Sequence, residues 1–442
     1  MKKTLGILAP VLVSFAVVSC NNGSGGSSSS PSSPTNVMSV SVESPLINTG
    51  YNDNGNAINV PFVTLSICQP NTNNCVTLDH VLLDTGSTGL RVISSLVNNL
   101  NLQPFTVNGN QINECITFGT GYTWGPIARA DVRMGGQTAY NIPINLLGGS
   151  SISVPDQCSQ YAMPPYEYTV ETFGSNAIVG VNPSIFDTGN MYAESSLDSG
   201  GGYYSCNPND ESGTSSCSYY RLPESQQVVN PIAFMSDANG NALNNNGLIL
   251  SLPSAGGAAA SQVTGSLTFG INTQTNNVLA TSAPIFNGTM ESGNPIVTIG
   301  TNYNGSNWSA LFDSGTQGYL ITNYGELLCA PDTETNPTGP YAGLLCPIQP
   351  LSLSANIMSY DFTGNSTTNQ FMITNALTWI NDFPTAHVYP NLGYYMPGND
   401  SVASGIFIWG LPFFLGKNVY LGFTGRTVNN VSSTPFTSFV TQ

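Results

Sequence analysis

Short apolar runs separated by turn residues dominate the pattern of hydrophobic and polar positions along this chain. Runs rich in Val, Thr, Ile and Tyr recur, and no long stretch follows the 3.6-residue period of an amphipathic helix. Only a few segments, such as 90–100, have the character of short helices. With 46 Gly and 29 Pro available for turns, the pattern predicts an all-β protein.

The first apolar run differs from the others and predicts an export signal. Lys2 and Lys3 precede an almost unbroken apolar stretch from Leu5 to Val18, which is too short for a full membrane span. The segment Val17-Val18-Ser19-Cys20 resembles the bacterial lipobox, in which the cysteine is acylated and becomes the mature N-terminus. We therefore expect lipidation at Cys20, the alternative being an ordinary signal cut nearby.

Composition changes after this signal, and the change suggests the domain organisation. A signal peptide over 1–20 is followed by residues that are mostly Ser, Gly, Asn and Pro, so 21–45 is expected to be a flexible tether. The remaining chain is longer than one core usually holds. Two lobes are therefore expected, over 46–275 and 276–442. No other apolar run is long enough to span a bilayer, so contact with a membrane is expected through the lipid alone.

Acidic residues greatly outnumber basic ones. The chain has 24 Asp and Glu against 8 Lys and Arg, and loss of Lys2 and Lys3 with the signal makes the balance more negative. This charge argues against nucleic acid as a partner. It suits a protein that works in acid, where carboxylates lose their mutual repulsion, and it suits equally an exported protein that must stay soluble.

The cysteine count agrees with export. Of the nine cysteines, eight remain when Cys20 is set aside, and an even number in an exported chain predicts disulfides. Three pairs are close enough in the sequence to link a hairpin or a loop, and the two remaining cysteines would form the fourth pair. Spacing alone does not prove this connectivity. The favoured pairs are Cys68–Cys75, Cys206–Cys217, Cys329–Cys346 and Cys115–Cys158. With no Cys-x-x-Cys and only His80 and His387, we expect neither a metal nor a cofactor.

Two segments share a pattern that carries chemistry. In each, an apolar strand runs into Asp, a hydroxyl residue, Gly and a second hydroxyl residue: Asp84-Thr85-Gly86-Ser87 and Asp313-Ser314-Gly315-Thr316. A carboxylate at the end of a buried strand is unfavourable unless it is hydrogen-bonded. The neighbouring hydroxyls can donate such bonds, and Gly permits the tight turn.

Spacing separates this pair from two weaker matches. Asp84 and Asp313 are each followed, at nearly the same distance, by an apolar-apolar-Gly segment that ends at Gly180 or Gly410. This internal repeat predicts two lobes built alike, with each Gly letting two loops pass closely. The segments Asp187-Thr188-Gly189 and Asp198-Ser199-Gly200 lack the second hydroxyl, and we interpret them as turn residues in a loop.

The paired Asp turns and their apolar-Gly partners resemble the pepsin-like aspartic protease family. The likeness covers roughly residues 58–425, with an insertion near 187–228. The segment Phe118-Gly119-Thr120-Gly121, followed by Gly125, resembles the flap hairpin of that family, and 265–270 resembles the strand that joins its lobes. A closer similarity, carried by 121–126 and 409–414, is to a bacterial family of exported proteins of unassigned function.

The resemblance implies a bilobal all-β fold, with two related β-barrel-like lobes and a cleft between them. In that arrangement Asp84 and Asp313 share a water, and an extended polypeptide lies along the cleft as an added strand. One carboxylate takes a proton from the water while the other donates to the peptide carbonyl. The resemblance also implies supporting roles: Thr85 and Ser314 lock the turns together, and Ser87 and Thr316 bond the outer carboxylate oxygens.

Two positions depart from the family. Phe118 stands where the flap usually carries a Tyr, although Tyr122 or Trp124 on the same hairpin could supply a polar group. Arg91 stands where the family usually has a Trp. A cation close to the Asp pair would favour the ionised carboxylates and depress their pKa values, unless Arg91 points outward or pairs with a remote acid.

The sequence as a whole predicts a monomeric, lipid-anchored aspartic endopeptidase of the bacterial cell envelope, active at acidic pH. Asn21, directly after the lipidated cysteine, favours the outer membrane. The main alternative is a pepsin-fold lipoprotein that binds peptides or glycans without cutting them. A surface adhesin or structural β-protein is a third class, but it would leave the repeated Asp turns unexplained.

Overall fold

The structure is a computed structural model that describes most of the chain after the first 35 residues. The predicted signal peptide with Cys20, most of the predicted tether, Thr120 and the segment 198–200 lie outside the described residues. The described ranges are 36–45, 58–119, 121–159, 166–189, 202–207, 217–290, 296–322, 324–329, 343–395, 405–431 and 434–442.

Strands account for nearly all the regular structure of the described residues, which confirms the predicted all-β class. The first group of strands runs through the N-terminal two-thirds of the chain. These are β1 (Val37–Val42), β2 (Pro61–Cys68), β3 (Cys75–Asp84), β4 (Thr88–Ile93), β5 (Thr106–Val107), β6 (Asn110–Thr117), β7 (Tyr122–Met134), β8 (Gln137–Leu147), β9 (Ala177–Val181), β10 (Gly202–Cys206), β11 (Cys217–Tyr219), β12 (Met235–Ser236), β13 (Gly247–Leu252), β14 (Val263–Phe269) and β15 (Ile285–Asn287).

A second group follows and makes a separate sheet, before two last strands complete the chain. The second group is β16 (Thr289–Met290), β17 (Val297–Tyr303), β18 (Ser306–Phe312), β19 (Tyr319–Leu320), β20 (Leu351–Met358), β21 (Ser366–Ile373), β22 (Gly393–Tyr394) and β23 (Ile406–Trp409). The last strands are β24 (Lys417–Gly422) and β25 (Phe436–Thr441).

The helices are short. The α-helices are α1 (Asp156–Ser159), α2 (Val170–Phe173), α3 (Ala376–Asp382) and α4 (Leu411–Phe414), and the 3₁₀ turns are Ser94–Leu96, Asn98–Leu100, Glu224–Gln226, Pro231–Phe234 and Gly325–Leu327. Within the described ranges, none of the helices has the length and apolar character to cross a membrane.

The segment 90–100 is only partly helical. Its first residues belong to β4, and two 3₁₀ turns follow. All six residues of β4 are buried, and β4 is paired on both edges, with β9 and with β8. A strand that is buried on both faces does not alternate between apolar and polar residues, and periodicity alone does not distinguish it from a short helix.

Two sheets hold the strands of the described chain, and each carries one of the Asp turns. The larger sheet has 17 strands and includes β24 and β25, while β17 to β23 form the smaller sheet, with β16 at its side. Thus β24 pairs with β13, from Gly247 opposite Gly422 to Leu252 opposite Lys417. The expected lobe of 276–442 therefore contributes its last strands to the sheet of the first lobe.

The predicted tether also contains a strand. β1 pairs antiparallel with β14, so that Val37 lies opposite Thr268 and Val42 opposite Val263. Val40 and Val42 are fully buried, because the Val-x-Val alternation of this segment gives it an apolar face. Residues 37–42 thus belong to the folded chain rather than to a flexible tether.

Four disulfides join the pairs that the spacing favoured: Cys68–Cys75, Cys115–Cys158, Cys206–Cys217 and Cys329–Cys346. The first links the adjacent strands β2 and β3, and the third links β10 and β11. The bond from Cys115 to Cys158 is different, because it connects β6 to α1 across a sequence separation of 43 residues.

Candidate active site

Asp84 ends strand β3 and is held by the turn that follows it. The residue is 6% exposed. The backbone N–H of Gly86 donates to its Oδ1 over 2.7 Å, and the Ser87 hydroxyl donates to its Oδ2. Both carboxyl oxygens therefore have a donor from the same turn, which offsets the penalty of burying the group.

Asp313 is held in the same way in the second sheet. It follows directly after β18, and its Oδ1 accepts from the N–H groups of Gly315, at 2.8 Å, and Thr316, at 3.1 Å. The Thr316 hydroxyl donates to Oδ2 over 2.6 Å. The two turns thus use equivalent donors, as the repeated sequence pattern predicts.

Four hydrogen bonds connect the two turns directly. The Thr85 hydroxyl donates to the Phe312 carbonyl at 2.8 Å, and the Ser314 hydroxyl donates to the Leu83 carbonyl at 2.7 Å. In return, the N–H of Ser314 donates to Thr85 Oγ1 at 2.9 Å, and the N–H of Thr85 donates to Ser314 Oγ at 3.1 Å. Both hydroxyl residues are fully buried, so the turns are locked back to back.

The two carboxyl groups meet beside the glycines of these turns. A Cβ added at Gly315 would lie 2.9 Å from Asp84 Oδ1 and 3.2 Å from Asp313 Oδ1. A Cβ added at Gly86 would lie 2.4 Å from Asp313 Cγ. Because any larger residue would collide with a carboxyl group, Gly at both positions is what allows Asp84 and Asp313 to approach.

Proximity changes the titration of the pair. Burial raises the pKa of Asp313 well above its usual range, and the charge of Asp84 and a hydrogen bond to Asp84 raise this pKa further. The donors from Thr316 and Gly315 oppose this shift without cancelling it. Asp313 therefore keeps its proton to a higher pH than a free carboxyl does.

The apolar-Gly segments lie beside the Asp turns, as predicted. β9 runs parallel to β3 with Gly180 opposite Asp84, and a Cβ on Gly180 would lie 2.7 Å from the Thr88 nitrogen. In the other sheet a Cβ on Gly410 would lie 2.0 Å from the Gly318 oxygen. Each Gly therefore permits a backbone approach that any other residue would block.

Asn182 is a supporting residue that the sequence did not reveal. Its side-chain nitrogen donates to the Thr85 carbonyl at 3.1 Å, and its side-chain oxygen accepts from the Val297 N–H at 2.8 Å. The residue is fully buried and bridges the first Asp turn to β17 of the second sheet. In the sequence, only its position two residues after Gly180 indicates that Asn182 lies near the Asp84 turn.

The predicted flap is a β-hairpin made by β6 and β7. Thr117 pairs with Tyr122, and the N–H of Phe118 donates to the Gly121 carbonyl at 2.8 Å. Gly119 at the tip has no atom within 4 Å of an added Cβ. The sequence therefore identified the hairpin and its turn correctly, while its action as a flap stays a prediction.

The aromatic residues of this hairpin pack against the segment that follows β8. Tyr122 stacks on Tyr166 with ring centroids 5.3 Å apart, and Phe118 lies 6.2 Å from Phe173. Trp124 is 1% exposed, and its indole N–H donates to the Ile152 carbonyl at 3.1 Å. Trp124 therefore cannot replace the polar group that Phe118 lacks, whereas Tyr122 is partly exposed.

Arg91 pairs with two acids away from the Asp pair, but it does not point outward. Its side chain is 1% exposed, and one terminal nitrogen lies 3.0 Å from carboxyl oxygens of both Glu114 and Asp187. Asp187 does lie in a loop, yet it is buried and ion-paired rather than a simple turn residue. An arginine within the apolar run of β4 was the one sequence signal for such a buried ion pair.

Comparison with known proteins shows the family to which this chain belongs. The sequence profile of a family described as "Protein of unknown function (DUF3443)" matches residues 32–439. The chain belongs to this family. No curated protein matches the sequence.

Among solved structures, the DUF3443 chain is similar to the crystal structure of an aspartic proteinase from Irpex lacteus. The identity is 16%, the alignment covers 92% of this chain and 96% of that chain, and the TM-score is 0.49. Within the described part of the chain, no group of three or more His, Cys, Asp or Glu residues is placed to hold a metal ion.

Proposed function

We propose that this DUF3443 protein is an aspartic endopeptidase. The observation that carries the proposal is the meeting of Asp84 and Asp313 beside Gly315, with the pKa of Asp313 raised by burial and by Asp84. A pair of carboxyls that holds one proton contains both an acid and a base, which is what addition of water to a peptide bond requires.

Each carboxyl then has a distinct task. The ionised carboxylate accepts a proton from a water while the oxygen of that water forms a bond to the peptide carbonyl carbon. The protonated carboxyl donates its proton to the carbonyl oxygen, which gives a tetrahedral diol. The first carboxyl then gives its proton to the peptide nitrogen and the second takes one from the diol, so that cleavage of the C–N bond releases a carboxylic acid and an amine without a covalent enzyme intermediate.

The proposed substrate is an extended polypeptide, and the proposed working range is acidic. Extended chains can bind by backbone hydrogen bonds as an added strand, and a protein built almost entirely of strands is suited to this mode. The raised pKa of Asp313 keeps one proton on the pair, and protons are retained more completely as the pH falls. The excess of acids over bases is compatible with work in acid.

The proposed location is the bacterial cell envelope, with the protein anchored by a lipid on Cys20. The signal-like run from Leu5 to Val18 and the lipobox-like residues before Cys20 support this proposal. We propose a monomer that faces the periplasm or the cell surface from the outer membrane. Metabolic labelling with a radioactive fatty acid tests the anchor, because Cys20→Ala should abolish incorporation of the label.

A protein that binds peptides or glycans without cutting them is the second candidate. One observation favours it: Phe118 brings no hydroxyl to the hairpin, and the Trp124 N–H is already bonded to Ile152. A complete pair of Asp turns with every donor in place favours the enzyme, because binding alone does not need two coupled carboxyls.

Cleavage of an unfolded protein across pH 2–7 decides between the two candidates. We expect the wild type to cleave in acid, and we expect Asp84→Asn and Asp313→Asn each to lower the rate by at least about 10²-fold, since each removes one partner of the acid–base pair. Asp382→Asn, at an exposed position at the end of α3, is the matched control and should cleave like the wild type. Equal rates for wild type and both active-site variants would refute the proposal.

A further inference from the structure

A second cluster of buried charges lies outside the Asp pair. It consists of Arg91 on β4, Glu114 on β6, Asp187 in the loop after β9 and Tyr203 on β10. All four side chains are buried. The Arg91 guanidinium binds Glu114 and Asp187 at 3.0 Å each, and the Tyr203 hydroxyl lies 2.8 and 2.9 Å from the two oxygens of Asp187.

The charges of this cluster do not balance when both acids are ionised. One guanidinium then faces two carboxylates in a site that water does not reach, and an uncompensated buried charge is strongly unfavourable. Glu114 Oε2 is buried and, among the described residues, meets no hydrogen-bond donor. One proton on the pair of Glu114 and Asp187 would make the cluster neutral.

The titration of the groups agrees with this charge count. Burial raises the pKa of Asp187 well above its usual range, and Glu114 raises it further, while Arg91 and Tyr203 lower it by less. Burial acts to lower the pKa of Arg91, but Glu114 and Asp187 outweigh it and raise that pKa. Burial and the two acids also raise the pKa of Tyr203. Arg91 therefore stays charged and Tyr203 neutral, and the carboxyl of Asp187 is the group whose raised pKa favours a bound proton.

Arg91 connects the cluster to the chain that follows the first Asp turn. Arg91 also donates to the Thr88 carbonyl at 2.8 Å, and Thr88 follows Ser87, whose hydroxyl binds Asp84. Gly89 makes room for this contact: its φ is +106°, and a Cβ there would lie 3.2 Å from the guanidinium. The position of Arg91 thus helps to set the backbone that carries the Ser87 hydroxyl.

Glu114 connects the cluster to the β6–β7 hairpin. Glu114 lies on β6, opposite Gly125 of β7 and opposite Tyr203 of β10. It is four residues before Phe118 at the hairpin turn. The guanidinium therefore joins the base of the proposed flap to the chain just after Asp84.

We propose that Arg91 is a positioning residue that, together with Glu114 and Asp187, couples the β6–β7 hairpin to the Asp84 turn, and that the coupling is tightest when the two carboxyls share one proton. The effect on catalysis rests on the proposed peptidase function, whereas the coupling itself does not. Acid would then favour both the working state of the Asp pair and the rigid state of the hairpin.

Hydrogen exchange tests the coupling independently of activity. Protection of segments 85–90 and 110–118 is measured at pH 4 and pH 7, corrected for the intrinsic exchange rate, in an Asp313→Asn background, which leaves Asp84 as the only ionisable residue of the active-site pair. We expect exchange in both segments to rise at pH 7 by at least about tenfold, because a buried charge then lacks a partner. Glu114→Gln, which leaves one guanidinium opposite one carboxylate at pH 7, should abolish this rise.

The activity test uses the pH profile of kcat/KM. Glu114→Gln should shift the alkaline limb of the profile to higher pH, an effect that a purely structural role for Glu114 would not produce. Arg91→Met should lower kcat by about tenfold or more through misplacement of the turn, and Arg91→Lys should recover part of the loss. Arg133→Met, at a surface arginine, is the matched control.

Several outcomes would overturn the proposal. An unchanged pH dependence of exchange in Glu114→Gln excludes the coupling, and so do separate responses of the two segments. Where one of these variants fails to fold, Tyr203→Phe takes its place, because it removes a donor to Asp187 without changing a charge. It should raise hydrogen exchange in both segments together. If the wild type cleaves nothing, the peptidase proposal fails, and the exchange data still decide on the coupling.

Discussion

Thr85 and Ser314, which lie in turns that follow strands of different sheets, exchange hydrogen bonds through their hydroxyl groups and backbone N–H groups. Each hydroxyl accepts from the other residue's N–H and donates to a carbonyl of the opposite strand end. Because both residues directly follow an Asp, this exchange sets the distance between Asp84 and Asp313. The same four bonds therefore serve the stability of the fold and the geometry of the proposed site.

Removal of one of these hydroxyls should destabilise the protein. Thr85→Val keeps the shape of the side chain but leaves the Ser314 N–H and the Phe312 carbonyl without their partner. We expect the free energy of unfolding to fall by about 2–4 kcal/mol, since each buried unsatisfied group costs about 1–3 kcal/mol. Urea denaturation at pH 4 measures the change.

The matched control for this variant is Thr77→Val. Thr77 lies on the same strand β3, and its hydroxyl bonds Ser66 Oγ at the surface. That variant should change the free energy of unfolding by less than about 0.5 kcal/mol. A similar fall in the free energy of unfolding in both variants would show that the hydrogen bonds between the two Asp turns stabilise the protein no more than a surface hydrogen bond does.

The raised pKa of Asp313 predicts a dependence of stability on pH. An acid whose pKa is higher in the folded state contributes stability that is complete below its unfolded pKa, about 3.9, and is lost as the pH rises through the folded pKa. Asp313→Asn should therefore gain stability relative to the wild type between pH 4 and pH 7. The gain is about 1.4 kcal/mol for every unit by which the folded pKa exceeds the unfolded one.

Urea denaturation of both proteins at several pH values measures this difference. Asp382→Asn, which removes one exposed acid, accounts for the change in overall charge and should parallel the wild type. If the curve for Asp313→Asn also parallels the wild type, the pKa of Asp313 is not raised in the folded protein.

The sequence pattern predicts the parts of this structure that depend on local residues. The turns around Asp84 and Asp313 repeat a short motif, and Gly180 and Gly410 recur at matching distances, so both their existence and their roles in packing could be inferred. Close spacing in the sequence also favoured the right partners for Cys68 and Cys75.

The features that were missed depend on contacts between distant segments. Arg91, Glu114 and Asp187 lie on three separate elements, and nothing in the residues around Asp187 distinguishes a buried ion pair from a surface turn. The Ser-rich segment before β1 predicts that β1 belongs to the tether, whereas its pairing with β14 depends on residues more than 200 positions away. Such long-range pairings are not encoded in local patterns.

The disulfide between Cys115 and Cys158 should contribute more stability than the one between Cys68 and Cys75. Their sequence separations are 43 and 7 residues, and a longer loop loses more entropy in the unfolded chain when it is closed. Replacing both cysteines by Ala should cost about 4 kcal/mol for the first pair and about 2.5 kcal/mol for the second. Thermal and urea unfolding of the two double variants provide the comparison, and a larger loss for the second pair would contradict it.

Gly315→Ala should abolish activity without unfolding the protein. The added Cβ would lie 2.9 Å from Asp84 Oδ1 and 3.2 Å from Asp313 Oδ1, so the carboxyls must move apart. Their shared proton would then be lost, and we expect kcat to fall by about 10²-fold or more, because a displacement of about 1 Å has this effect on an aligned site. The cleavage assay at acidic pH measures kcat, and near-UV circular dichroism checks that the fold is retained. Separation of the carboxyls should also weaken the pH dependence of stability, in the same direction as Asp313→Asn. A Gly315→Ala protein with wild-type activity would show that the reaction does not need the two carboxyls in contact.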